Sequence, residues 1–265
     1  MRASVKEKRE VAQGTLLVLF DLLGEEVDFI PGQYFWVTLP DPPYDDARGP
    51  RRHFSVVTSP NERGRLGFCT RLRDSAFKRS LVELPIGAEA EVEEPKGSFL
   101  LPEDTNQAYL FLAGGIGITV FRSMLRYIAE DDLPHRVTLI YSNRDRDSTP
   151  FLDELTELEQ ARGNFQLVLT MTDDASWSGE TRRIGPELLG DPSRRRSALL
   201  RLPRRRPAAD GRWHRGDPPK CGRSRGASLR RSVQWLLTKA FRDAAPLTDG
   251  CLWAARTTAP NELAR

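Results

Sequence analysis

An uninterrupted apolar run, Tyr109–Ala113, stops at Gly114-Gly115-Ile116-Gly117, and a helical pattern opens at once through Ile118, Thr119 and Phe121. A short strand that is apolar throughout is buried on both faces, which a parallel sheet covered by helices requires. Glycines at its end let the backbone come within contact distance of a diphosphate. The helix that follows offers unpaired N–H groups and a partial positive charge to the same anion. A tight strand–helix turn without a ligand uses glycine too. The buried strand before the turn and the helix after it favour the binding reading.

The same alternation continues downstream. Val137–Tyr141 is a second apolar strand, Pro150–Gln160 a helix, and Gln166–Thr170 a third strand, which predicts a Rossmann-like parallel sheet with helices on its faces. Upstream the rhythm differs. Thr15–Leu22, Tyr34–Leu39, His53–Val57, Arg65–Thr70 and Ala90–Glu93 read as short strands between turns rich in Gly, Pro and Asp, with one helix at Ser75–Leu84. Strands in that number and order predict an antiparallel β-barrel of the Greek-key kind. The expected organisation is a barrel over residues 1–102 and an α/β domain over 107–190, with the boundary near Leu101–Gln107.

Composition excludes several classes. No run of 18 apolar residues exists to span a bilayer, and the charged start MRASVKEKREVAQG does not read as a secretory signal. Three cysteines, Cys69, Cys221 and Cys251, are too few for a disulfide framework or for the four thiolates of an iron–sulfur cluster, so a reducing cytoplasm is expected. No metal site is expected. The net charge of +3 hides an asymmetry: residues 1–190 carry 22 Lys/Arg against 31 Asp/Glu, and residues 191–265 carry 18 against 6. A basic tail of that kind often binds nucleic acid or an anionic membrane. This one lacks interleaved aromatics and a basic helical face, so nucleic acid is not expected as a partner.

A second constellation is Arg51-Arg52-His53-Phe54-Ser55-Val56-Val57-Thr58-Ser59-Pro60. An arginine, an aromatic and a hydroxyl on one barrel strand can pair with phosphate, lie along a flavin ring and reach a ring nitrogen. As bare residues they are also an ordinary edge strand. Arg52-x-Phe54-Ser55 with Ser59-Pro60 resembles the RxYS-xx-SP flavin motif of the ferredoxin–NADP⁺ reductase family. Pro31-Gly32-Gln33-Tyr34 is similar to that family's PGQ strand. Arg73-Asp74-Ser75 through Ser80-Leu81 and Pro95-Lys96-Gly97-Ser98-Phe99 resemble its pyrophosphate helix and PxGxF turn. Gly114-Gly115-Ile116-Gly117-Ile118-Thr119 resembles its nicotinamide-cofactor loop. Ser142-Asn143-Arg144 and Phe151-Leu152-Asp153-Glu154-Leu155 fall where the family has adenosine contacts and the next helix. The likeness covers residues 10–190.

The resemblance implies an FAD-dependent oxidoreductase that takes electrons from NAD(P)H and passes them to a redox protein such as a ferredoxin or an oxygenase component. Arg52 would contact the FAD pyrophosphate, with Phe54 on the flavin and Ser55, the catalytic candidate, near its N5. His53, Thr70, Arg71, Lys78, Ser80 and Gly97 complete the implied flavin set. Gly114, Gly115, Gly117, Ile118 and Thr119 would hold the NAD(P)H diphosphate, and Ser142, Asn143 and Arg144 its adenosine end. An arginine at position 144 can pair with a 2′-phosphate, which points to NADPH before NADH, although in the run RDRD it also reads as a solvated charge. Val120 stands where the family has proline, and Phe54 where it has tyrosine.

Beyond Leu189 the organisation fails. Residues 191–265 are dense in Arg, Pro, Gly and Ala without a sustained period, so a basic, irregular tail is expected, with weak helical patches at Val233–Phe241 and Leu252–Ala255. Read one nucleotide later, the codons available for Arg204–Ala208 can spell Val-Ala-Gly-Pro-Pro. Those for Arg231–Leu236 can spell Glu-Val-Phe-Ser-Gly-Tyr, and Leu237 then becomes a stop. That resembles the family's missing strand, helix and terminal aromatic, so a one-base shift near residues 190–198 is expected, with loss of a sheet strand and of the cover over the flavin. A non-catalytic flavin-binding electron-transfer subunit and an anion-binding protein using the basic tail are the competing readings.

Overall fold

The computed structural model describes residues 1–190 and the strand Cys251–Thr257. The first six strands are β1 (Arg2–Ala12), β2 (Thr15–Asp21), β3 (Tyr34–Thr38), β4 (Arg51–Ser55), β5 (Arg65–Arg71) and β6 (Glu89–Val92). They form one antiparallel sheet in the order β4-β3-β6-β1-β2-β5. The chain leaving β4 closes the ring onto β5, where the Val57 N–H donates to the Gly67 carbonyl at 2.9 Å. Inside it pack Phe20, Phe35, Phe68, Leu66 and Val92, and helix α1 (Ala76–Glu83) adds Phe77 and Leu81. Ser75 caps that helix, its Oγ accepting from the Lys78 N–H at 3.3 Å.

One strand departs from expectation. β1 is the longest of the sheet, yet RASVKEKREVA buries only Ala3 and Val5. Its charges point to water, so no apolar alternation marks it; the backbone ladders to β2 and β6 hold it instead.

The second sheet is built from β7 (Ala108–Gly114), β8 (Arg136–Asn143) and β9 (Phe165–Met171), all parallel and paired in that order. A single 3₁₀ turn, Gly115–Gly117, leads from β7 into α2 (Ile118–Glu130), and α3 (Leu152–Ala161) connects β8 to β9. The short helix α4 (Pro186–Gly190) follows. α2 buries nine of its residues, from Ile118 through Leu125 and then Ile128, because both sheets cover it. Its core continues through Tyr109, Phe111 and Val137 on one side and Leu17, Val57 and Cys69 on the other. Burial pushes the Cys69 thiol up to about 12, so it packs as a small hydrophobe and not as a nucleophile.

Two expectations about the tail need correction or restriction. Leu252–Ala255 lies within a strand, β10 (Cys251–Thr257), which pairs antiparallel with β7 from Cys251 opposite Ala113 to Thr257 opposite Ala108. The unpaired N–H and C=O groups along the open side of β7 are what that strand satisfies, so the sheet edge expected to be lost is covered. Val233–Phe241 lies outside the described residues.

Two glycines separate steric need from conformational need. At Gly32 (φ +110°) a Cβ would stand 2.0 Å from the Phe99 carbonyl oxygen and 2.7 Å from Met124 Cε. At Gly14 (φ +65°), in the β1–β2 turn, it would meet nothing within 4 Å. Gly14→Ala is expected to cost about 1–2 kcal/mol through its left-handed backbone alone. Gly32→Ala must also displace a backbone carbonyl and should lower the melting temperature several times further; equal shifts in thermal melts would refute this.

Glu180 supplies a pH test. Its backbone carbonyl accepts from the Met171 N–H beside β9, and its carboxylate takes two bonds from Arg182, at 2.8 and 2.7 Å. Those bonds hold its pKa at about 2 against an ordinary 4.5. A pKa depressed by folding means the contribution is complete above about 4.5 and drains away as pH falls towards 2. Glu180→Gln should therefore flatten stability over that window and leave its shape unchanged above pH 6, as read from denaturant melts.

Candidate functional site

Alternation along β4 puts Arg52 and Phe54 on one face and Arg51 and His53 on the other. On the first face the Arg52 guanidinium donates to the carbonyls of Arg48, Gly49 and Arg51 at 3.0, 2.7 and 2.8 Å and stands 5.4 Å over the Phe77 ring. Its other nitrogen lies 3.3 Å from the Asp46 carboxylate. That carboxylate also accepts the N–H of Arg48 at 2.9 Å and of Ala76, the first residue of α1, at 3.2 Å. The Arg48 N–H, with help from Ala76 and Arg52, holds Asp46 below the usual carboxylate range. One anion is thus seated between a guanidinium and a helix N-terminus, which is what a phosphate cradle offers.

Phe54 lies flat on Phe68, ring centroids 3.9 Å apart at 13°, and 5.8 Å from Phe77. Ser55 sits opposite Tyr34 in the β3–β4 ladder. His53 faces away from this cleft, 4.9 Å from Trp36 and 5.6 Å from Tyr34, because an odd step along the strand reverses the side. Ser80 is fully buried, and its hydroxyl accepts from the Tyr44 N–H at 3.0 Å and donates to the Tyr44 carbonyl at 3.1 Å. It pins the Tyr44–Asp46 loop to α1 and keeps its hydroxyl off any ligand. Gly97 (φ +127°) is demanded by the Tyr34 ring, 3.1 Å from where its Cβ would be.

A second cluster forms where the two sheets meet. Gly115 is left-handed (φ +51°), and the Arg71 guanidinium of β5 lies 3.1 Å from the position its Cβ would take. Arg71 also donates to the Ser148 carbonyl at 3.3 Å, and Lys78 Nζ donates to the Arg71 carbonyl at 2.7 Å. Beneath the turn the Tyr141 hydroxyl is shared between the carbonyls of Gly115 and Pro150, at 3.1 and 3.2 Å. Tyr141 is wholly buried, and that burial raises its pKa, so it stays a neutral donor. With the Gly115 carbonyl engaged below, a cation lies over the turn above.

The remaining predicted residues divide. Gly114 precedes the turn and Gly117 ends it. The Ile118 side chain is fully buried in the core, so only its backbone belongs to the turn, and Thr119 spends its hydroxyl on the Ile116 carbonyl at 3.1 Å. Thr70 is buried beside Arg71. Ser142 and Asn143 close β8 and Arg144 follows it, at the carboxyl end where ligands of open α/β sheets bind. Asn143 is buried, whereas Arg144 is exposed, and its charge assists the Ser148 bonds that hold Asp145 low. Sequence reading missed Asp46, Tyr141 and Arg122. Tyr141 was legible only as an apolar strand residue; Arg122 acts through partners 29 or more residues away and Asp46 joins its local partners to Ala76, 30 residues on, contacts for which no local signal exists. Among the described residues no group of three or more His, Cys, Asp or Glu could hold a metal, and no helix is long and apolar enough to cross a membrane.

Residues 111–197 match the oxidoreductase NAD-binding domain. Methane monooxygenase component C of Methylosinus trichosporium is 29% identical over 165 residues, 62% of this chain and 46% of that protein. The phthalate 4,5-dioxygenase reductase subunit of Pseudomonas putida is 33% identical over 163 residues, 58% and 46% of the two chains. The chain spans about half the length of these relatives. Among solved structures, the FAD/NAD-binding domain of nitric oxide dioxygenase from Vibrio cholerae O1 biovar El Tor superposes with a TM-score of 0.62 at 18% identity, covering 69% of this chain and 79% of that one. Ferredoxin–NADP⁺ reductase from Plasmodium falciparum gives 0.59 at 17% identity, covering 76% and 82%. A six-stranded antiparallel sheet followed by a parallel one whose first strand ends in a glycine turn is the fold this chain shares with these flavoprotein reductases.

Proposed function

We propose that this chain is an NAD(P)H-dependent FAD oxidoreductase that passes electrons to a redox protein, such as a ferredoxin or an oxygenase component. The observation that carries the reading is the pair of anion-binding clusters on adjoining edges of the two sheets, Arg52 with the α1 N-terminus and Arg71 over the Gly115 turn. The donor set fits a dinucleotide flavin: the place the Asp46 carboxylate takes suits a phosphate, and Phe54 offers an aromatic wall beside it. A bound FAD supplies the conversion of a two-electron hydride into single electrons, which no side chain can make.

The residues supply binding and orientation. Arg52 and the first N–H groups of α1 neutralise the flavin diphosphate once the Asp46 carboxylate yields its place. Phe54, braced by Phe68, limits the ring from one side, and Ser55 is the hydroxyl assigned to its reactive edge. Gly114, Gly115 and Gly117 bring backbone to the nicotinamide dinucleotide's diphosphate, and Arg71 adds charge from the flavin side. Arg144 at the end of β8 is assigned to the adenosine end. The names of the relatives, a monooxygenase component and a dioxygenase reductase subunit, support a protein acceptor, and a cytoplasmic setting is part of the same proposal.

The division into a flavin domain over 1–102 and a nicotinamide-cofactor domain over 107–190 is part of the same proposal. So is a one-base shift near residues 190–198, supported by the family match ending at residue 197, within the Arg- and Pro-rich stretch. Sequencing the gene decides it: an intact frame whose codons forbid the shifted reading would end it.

Purified protein should be yellow and should bleach anaerobically with NADH or NADPH. A yellow protein that neither nucleotide bleaches would leave the non-catalytic flavin-binding subunit as the better reading, and a colourless one that takes up no added FAD would sink both. Arg52→Met should weaken FAD retention by about tenfold or more, the loss of a charge-assisted contact worth about 1.5–3 kcal/mol. Lys78→Met, whose ammonium is engaged with Arg71, should do less; the order is read from flavin-to-protein ratios after gel filtration.

A further inference from the structure

We propose that Arg122 is a positioning residue that locks the flavin strand, the glycine turn and the start of α3 into one geometry. Arg122 sits one turn into α2, the helix that begins at the glycine turn, with its side chain 8% exposed. Three groups from two segments, the chain leaving β4 and the start of α3, meet at its guanidinium. Nη1 donates to the Val57 carbonyl at 2.8 Å, two residues past Ser55; Nε donates to Glu154 of α3 at 2.9 Å; and the guanidinium carbon stands 4.5 Å over the ring of Phe151. The next residue repeats the first contact: Ser123 Oγ donates to the Thr58 carbonyl at 2.6 Å.

Phe151 adds an independent sign that the junction is under constraint. It is the N-cap of α3, buried, and held at φ +60° and ψ 25°, a left-handed conformation that a bulky side chain avoids. Strain of about 1–3 kcal/mol persists only where the surroundings over-determine it, and such residues gather at functional sites. Phe151 follows Pro150, whose carbonyl shares the Tyr141 hydroxyl with Gly115. A shift at Phe151 therefore reaches the glycine turn through Pro150 and Tyr141, while the same guanidinium holds the chain leaving the flavin strand.

Burying a guanidinium costs several kcal/mol unless a carboxylate and further acceptors surround it. A leucine would fill the volume without that cost, but only a planar fork can hold the Val57 carbonyl and the start of α3 to α2 at once. Hydride transfer supplies a reason for such a fixture, since misplacement of reacting groups by about 1 Å costs on the order of a hundredfold in rate. This role rests on the proposed oxidoreductase function; the lock itself does not.

The lock is tested first in the full chain without added cofactor, by hydrogen–deuterium exchange of the wild type, Arg122→Lys, Arg122→Met and Glu154→Gln. Arg122→Lys keeps the charge and loses the fork. Faster exchange should appear together in peptides covering 55–62, 115–125 and 148–155, with β2 unchanged. Loosening confined to the α2 peptide overturns the lock. In flavin-loaded protein, Arg122→Lys should retain FAD, change the KM for NAD(P)H by less than about threefold, and lower the anaerobic rate of flavin reduction by about tenfold or more. A raised KM with an unchanged limiting rate overturns the positioning role. If wild-type protein is not bleached at all, the oxidoreductase reading fails, while the exchange experiment still decides the lock.

Discussion

Helix α2 is buried on two sides at once, and most of this structure follows from that constraint. A helix covering one face of a parallel sheet needs an apolar stripe towards the sheet and polar residues towards water. Here the antiparallel sheet occupies the place of the water. Ile118, Phe121 and Leu125 belong to a core that runs from Tyr109 and Val137 through α2 to Leu17, Val57 and Cys69. Because that core is continuous, the glycine turn at the start of α2 and the flavin-motif strand are set relative to each other by close packing, which has discrete solutions and little slack. The polar contacts at the seam, Arg122 to Val57 and Ser123 to Thr58, then select among those solutions, since a buried donor without its acceptor is costly.

The same seam explains where charge gathers. Arg71 leaves the antiparallel sheet and ends against Gly115 of the parallel one, and Arg52 ends against the first turn of α1. Backbone carbonyls orient both guanidinium groups, and the Asp46 carboxylate pairs with Arg52. Asp46 shows the consequence: its carboxyl is stabilised in the charged form by N–H donors first and by Arg52 only after them. Under the proposed function a phosphate takes the same donors as the Asp46 carboxylate, so the ligand's arrival is an exchange of anions and involves no new burial of charge.

What could be read from the sequence, and what could not, divides by range. β2, β3, β5 and β6 were legible because their side chains alternate or run apolar between turn residues, and α1 because Ser75 caps an amphipathic stretch. The glycine turn was legible because strand, glycines and helix are contiguous. β1 was not, since its two buried residues are outnumbered by charges and its partners lie on β2 and β6. Ser80 was assigned to a ligand on its place in a motif; only the fold reveals that the backbone of Tyr44 already takes both of its bonds. His53 illustrates strand parity: it sits inside the motif, but the pleat turns it to the opposite face from Arg52 and Phe54.

The edge of β7 shows why Leu252–Ala255, read as a weak helical patch, lies in a strand. β7 is central in purpose, since it delivers the glycine turn, yet with β8 on one side its other side would expose a row of unpaired backbone groups. Any stretch able to extend can satisfy them, and Cys251–Thr257 does so antiparallel, with a register shift between Leu252 and Ala254. Backbone pairing needs no particular side chains, so the strand forms from a sequence that carries no strand pattern of its own. Parallel pairing at that edge would need a crossover connection from the sheet's carboxyl end back to its amino end. The antiparallel direction places the start of β10, Cys251, beside Ala113, next to the glycine turn where the cofactor's diphosphate is assigned.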